Sequence, residues 1–139
     1  MAPLNAMGKN LVWLGDDVGA PADMKLVVNG LLASVTASMD EAMATARGAG
    51  LEQRDLMNLV GGHAMNSPLL QLCANTMMSG EHPPLFQLRL MEKDARHHAR
   101  VGRGSPVVTS AAHQAYATAV EDGFGDSNWT AVYESMKAK

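Results

Sequence analysis

The longest helix-compatible stretch of this 139-residue chain runs from Ala22 to Arg47. Pro21 suits the first turn of such a helix, and Arg47 before Gly48 suits its last. Whatever the rest of the chain forms has to pack along that helix. The composition says how: aromatics are only 4% and there are 11 methionines, so the core is built from small and flexible side chains that favour close helix packing. With 47% hydrophobic and 18% charged residues, the chain reads as one soluble globular domain and not as a disordered one. The expected fold class is all-α.

Leu11 to Gly15 is the one stretch with strand character, a short apolar run with a bulky aromatic, closed by Gly-Asp-Asp. A single strand makes no sheet, so it is an orphan within this chain. After the first helix, a second is expected from Glu52 to about Val60. A third starts at Ser67-Pro68, in the N-cap and N1 positions, and runs to Ser79-Gly80. His82-Pro83-Pro84 is a stiff connector to a fourth helix, Phe86 to about Val101. Ser105-Pro106 repeats the cap-then-proline signal for a fifth, ending at Asp122-Gly123. Asp126 or Ser127 is placed to cap a last helix, Trp129 to Lys137.

A net charge of −3 without a basic block argues against nucleic acid as a partner. Cys73 is the only cysteine, which excludes an internal disulfide framework and a CxxC zinc site, and a reducing compartment is the natural reading. No apolar run approaches the roughly 18 residues of a membrane span. The start, MAPLNAMGKN, lacks the form of a secretion signal, so a cytoplasmic protein is expected.

Lys25 and Asn29 carry the best pointer to chemistry. Four residues apart, they place an amine and an amide on one helix face, one turn apart. Both lie near a helix N-terminus, whose positive potential disfavours an ammonium, the tuning that a proton-transferring lysine needs. The plainer alternative is a solvated lysine and a surface asparagine. Lys93-Asp94 alone is a weak signal, because charged pairs on helices are usually solvated. His97-His98, with His63, His82 and His113, invites a metal reading. Adjacent histidines point about 100° apart on a helix and no HExxH occurs, so solvated or capping histidines are expected. Cys73 reads as core.

The stretch Gly19-Ala-Pro-Ala-Asp-Met-Lys-Leu-Val-Val-Asn-Gly30 resembles the start of the helical domain in the β-hydroxyacid dehydrogenases. The resemblance continues through Glu41-Ala42 with Gly50-Leu51, Phe86 with Lys93-Asp94, and Asp126-Ser-Asn-Trp-Thr-Ala-Val132. His63-Ala-Met-Asn-Ser-Pro68 and the spacing of Pro83-Pro84-Leu-Phe86 to Lys93-Asp94 are most similar to the glyoxylate/succinic semialdehyde reductase branch. Pro21 and Val28 depart from the usual pattern. The larger departure is that neither the GxGxxG turn nor the Ser-Gly-Gly loop of the family's N-terminal Rossmann domain is present.

The resemblance therefore implies residues 1–17 as the remnant of that Rossmann domain, its last strand, and 18–139 as the helical C-terminal domain that binds NAD(P) and substrate. Lys25 is implied as the catalytic proton donor and acceptor. Asn29, Phe86 and Asp94 are implied as substrate-binding, and Lys93 as cofactor-binding near the nicotinamide. Asp94 is implied to orient that region or to pair with Lys25. Phe86 would share a helix face with Lys93, two turns away, and ordinary core packing is its other reading. The implied reaction moves a hydride between NAD(P)(H), NADPH slightly favoured, and a small 3-hydroxyacid or aldehyde. Homo-oligomerisation follows from the family and from the exposed orphan strand. The alternative is a non-catalytic helical dimerisation module that has lost its cofactor domain.

Overall fold

The long stretch forms one helix, α1 (Ala20–Gly48), in a computed structural model that describes residue 8 and residues 10–102 and 104–137. It begins two residues before Ala22, because a turn at Asp17 leads into it. The Asp17 carboxylate accepts the Gly19 N–H at 2.8 Å, and the Asp17 carbonyl accepts the Ala20 N–H at 3.2 Å. Pro21 then sits in the first turn and Arg47 in the last. Five further helices follow: α2 (Gln53–Gly61), α3 (Pro68–Ser79), α4 (Leu88–Val101), α5 (Val107–Ala119) and α6 (Val132–Lys137). A π turn, Val120–Phe124, and a 3-10 turn, Trp129–Ala131, separate α5 from α6.

The fold is all-α. The strand expected at Leu11 to Gly15 does not form, since nothing in the described residues supplies a ladder for it. Leu11, Val12 and Trp13 lie exposed instead.

Two apolar clusters lie along α1. Ala33 and Ala37 meet α4 (Leu88, Met91, Ala95), α5 (Ala112, Tyr116, Ala119) and Trp129. Further along, Met39 and Met43 meet α2 and α3 through Met57, Cys73 and Met77, with Tyr133 of α6. Ala33 and Ala37 of α1 are small residues against α4 and α5, and the methionines that follow them fill the core under α2 and α3.

Helix starts carry the main corrections. α4 starts at Leu88, not Phe86, because residues before it pair with the chain near Asn128. Gln87 and Asn128 form an isolated antiparallel bridge, the Phe86 N–H donates to Asn128 Oδ1, and the Trp129 N–H donates to the Phe86 carbonyl. Asn128, with no side-chain cap, precedes the last turns, in place of Asp126 or Ser127. α5 starts at Val107 behind Pro106, and Gly123, at φ 94°, bends the chain out of the helix through the π turn. No helix among the described residues is long and apolar enough to cross a membrane.

Candidate active site

α4 buries Leu88, Met91, Asp94 and Ala95, one continuous stripe at helical spacing. Asp94 thus brings a carboxylate onto an apolar face packed against α1, and it is 1% exposed. A carboxylate there needs partners. They come from α1 one turn apart: Lys25 Nζ donates to Asp94 Oδ2, and Asn29 Nδ2 donates to the same oxygen at 2.6 Å. Lys93 adds its ammonium 3.1 Å from Asp94 Oδ1 as an ion pair. Oδ1 accepts no hydrogen bond of good geometry among the described residues, and the Lys93 ammonium is its ion-pair partner.

Burial pushes the Asp94 carboxyl upward. Hydrogen bonds from Lys25 and Asn29, contact with Lys93 and the Lys25 charge outweigh it, so the group is held below its ordinary value. The carboxylate forms the floor of the site and the amines its rim, with the Lys25 and Lys93 side chains 52% and 44% exposed. Two ammonium groups against one carboxylate leave that rim positive. The helix terminus is therefore not the only field at Lys25, because Asp94 opposes it.

Four of the five expected residues, Lys25, Asn29, Lys93 and Asp94, come together. Phe86 goes elsewhere: it precedes α4, and its ring packs on Trp129 with centroids 6.2 Å apart. Its core reading is the one that this contact supports. Three histidines are also more engaged than a solvated reading allows. His82 joins Thr130 at 2.9 Å and Glu134 at 3.3 Å, and His113 meets Glu92 at 2.8 Å. His98 reaches the Leu26 carbonyl of α1 at 3.2 Å. His98 is a neighbour of the site that the histidine pattern alone does not single out, although its spacing of four from Asp94 puts both on one helix face. No group of three or more His, Cys, Asp or Glu residues able to hold a metal ion occurs among the described residues.

The donor set fits one end of a nicotinamide cofactor. Exposed amines stand over a buried, hydrogen-bonded carboxylate, which suits a carboxamide and a small anionic substrate. The described residues contain no strand, and hence no strand–turn–helix cradle for a pyrophosphate.

Residues 19–136 match the family described as NAD-binding of NADP-dependent 3-hydroxyisobutyrate dehydrogenase, and the chain belongs to that family. Glyoxylate/succinic semialdehyde reductase 2, chloroplastic, of Arabidopsis thaliana is 33% identical over 97% of this chain and 38% of its own length. The cytokine-like nuclear factor N-PAC of Aedes aegypti is 31% identical over 92% of this chain and 23% of its own. The crystal structure of 3-hydroxyisobutyrate dehydrogenase from Salmonella typhimurium superposes with a TM-score of 0.86 at 25% identity, over 94% of this chain and 47% of that one. The chain thus spans less than half the length of each relative.

Proposed function

We propose that this chain is the proton-transfer part of an NAD(P)-dependent oxidoreductase acting on a small 3-hydroxyacid or aldehyde, of the glyoxylate/succinic semialdehyde reductase kind, with NADPH as the favoured cofactor. The observation that carries this reading is the meeting of Lys25 and Asn29 with the buried Asp94 carboxylate. The bound cofactor supplies the hydride that joins the carbonyl carbon in reduction, or accepts it in oxidation.

Lys25 gives a proton from Nζ to the carbonyl oxygen as it becomes a hydroxyl, and takes one in the reverse direction. Its half-exposed side chain can exchange that proton with water. Asp94 holds Nζ in place through both protonation states. Asn29, tied to Asp94 by Nδ2, keeps its amide oxygen available to a substrate hydroxyl. Lys93 holds the carboxamide end of the cofactor or the substrate carboxylate from the rim. The cofactor's phosphates need a Rossmann domain, to which residues 1–17 would belong, with 18–139 as the helical domain.

The test is to join this chain to the remaining part of the Arabidopsis reductase and measure NADPH-dependent reduction of glyoxylate and succinic semialdehyde. Turnover is expected, with Lys25→Ala lowering kcat by about 10²-fold or more, the scale of a lost general acid. Near-normal turnover in Lys25→Ala would remove the lysine from the mechanism. A second reading, a helical dimerisation module without catalysis, draws on the likeness to the cytokine-like nuclear factor N-PAC, whose name is not that of an enzyme. It predicts no turnover even in the joined protein.

A further inference from the structure

We propose that His98 is a positioning residue for the Lys25–Asn29–Asp94 cluster: seated in the notch that Gly30 leaves on α1 and donating Nδ1–H to the Leu26 carbonyl, it sets where α1 presents its amines to the α4 carboxylate. The meaning of this for catalysis rests on the proton-transfer reading of Lys25.

The two helices meet here in two successive rungs. On one, Lys25 and Asn29 of α1 take Asp94 of α4. On the next, Leu26 and Gly30 of α1 take His98, one turn on from Asp94. Residues 25 and 26, and 29 and 30, are chain neighbours, so a shift of α1 at the second rung moves the amines of the first.

The fit at Gly30 is tight. A Cβ at that position would stand 2.2 Å from His98 Nδ1, 2.5 Å from Cγ and 2.8 Å from Cε1, all closer than real contacts. Only glycine leaves room for the imidazole to reach the α1 backbone. The ring is also held, because Nδ1 lies 3.2 Å from the Leu26 oxygen. A carbonyl only accepts, so the hydrogen is on Nδ1. That oxygen already faces the Gly30 N–H along the helix, and its second lone pair receives the imidazole. His98 thus ties α4 to the α1 backbone itself, which a packed apolar side chain cannot do.

The readout is the titration midpoint of Asp94, followed by carboxyl-carbon NMR on the full chain without cofactor or substrate. Lys25 and Asn29 from α1 and Lys93 from α4 are the groups that face this carboxyl. His98→Ala is expected to raise the midpoint by about half a pH unit or more as the amines loosen. His98→Asn, whose Nδ2–H stands near the place of Nδ1–H, is expected to keep the wild-type midpoint. An unchanged midpoint in His98→Ala, or a rise in His98→Asn equal to that in His98→Ala, would overturn the proposal. Should the variants not fold, imidazole nitrogen NMR of the wild-type chain decides. The Nδ1–H tautomer is expected at His98, and the Nε2–H tautomer alone would overturn the proposal. These measurements involve no turnover, so their failure is distinct from a failure of Lys25 in the kinetic test.

Discussion

Asp94 and Asp40 are both buried aspartates, and their surroundings push them in opposite directions. Asp94 is met by amines and held low, while Asp40, 0% exposed on α1, has no hydrogen-bond partner for either oxygen among the described residues. Burial alone raises the Asp40 carboxyl well above its ordinary value of 3.8. The signs for stability follow. Asp94 stabilises the fold above the ordinary carboxylate value, and that contribution is lost as pH falls through its lower folded value. Asp40 favours the fold in its protonated form. Its contribution is complete below the ordinary value and falls as pH rises towards the folded one, by at most about 1.4 kcal/mol per pH unit for one proton. Asp40→Asn keeps the shape and removes the proton, so urea unfolding is expected to find it more stable than wild type at about pH 7. That advantage should shrink towards zero at about pH 4, and an advantage independent of pH would contradict the assignment. The same burial pushes the Cys73 thiol up to about 11, helped by Asp40, so Cys73 is a core group and not a reactive one.

At the scale of elements, α3 shows local sequence deciding a boundary. Ser67 Oγ accepts the Leu70 N–H at 3.2 Å, Pro68 occupies the first turn, and Gly80 at φ 69° closes the helix. Ser67→Ala is expected to lower stability by about 1 kcal/mol, readable as a shift of the urea midpoint with unchanged slope. No shift would mean that Pro68 alone sets the start. The same Ser-Pro signal at Ser105-Pro106 places the start of α5 one residue early, because the Ser105 carbonyl accepts the Val107 N–H at 2.8 Å and the helix start has no side-chain cap. Phe86 shows where local reading stops. It has helical neighbours on its C-terminal side, yet Asn128, far along the chain, takes its N–H and keeps it outside the helix. The candidate site divides in the same way. Spacing places Lys25 and Asn29 on one helix face, and likeness to a family is what singles them out together with Asp94 and Lys93. Neither source shows that Gly30 is a notch for His98, since that depends on how closely two helices approach.

For the whole molecule, the question is what covers the apolar side chains that the fold leaves outside. Met24, Val28 and Leu31 follow one another at four and three residues along α1, on the face turned away from Gly30 and Ala33, and are 45%, 55% and 63% exposed. Leu11, Val12 and Trp13 before the helix, and Val107 and Val108 at the start of α5, add to the exposed apolar surface. Scattered apolar residues need no partner, but a row along one helix together with an extended apolar segment is the kind of surface that proteins cover. Relatives are more than twice as long as the part this chain matches. Alone, this chain is expected to cover it by self-association. Light scattering after size exclusion at micromolar concentration should give at least twice the monomer mass. Val28→Glu with Leu31→Glu, which puts like charges along the row, should shift it towards monomer. A monomer in the wild-type chain would show that the row stays solvated. An unchanged oligomer in the double variant would move the contact to Leu11–Trp13. Truncating the chain before Asp16 then separates the two surfaces, because only an assembly held by the N-terminal segment dissolves when that segment is removed.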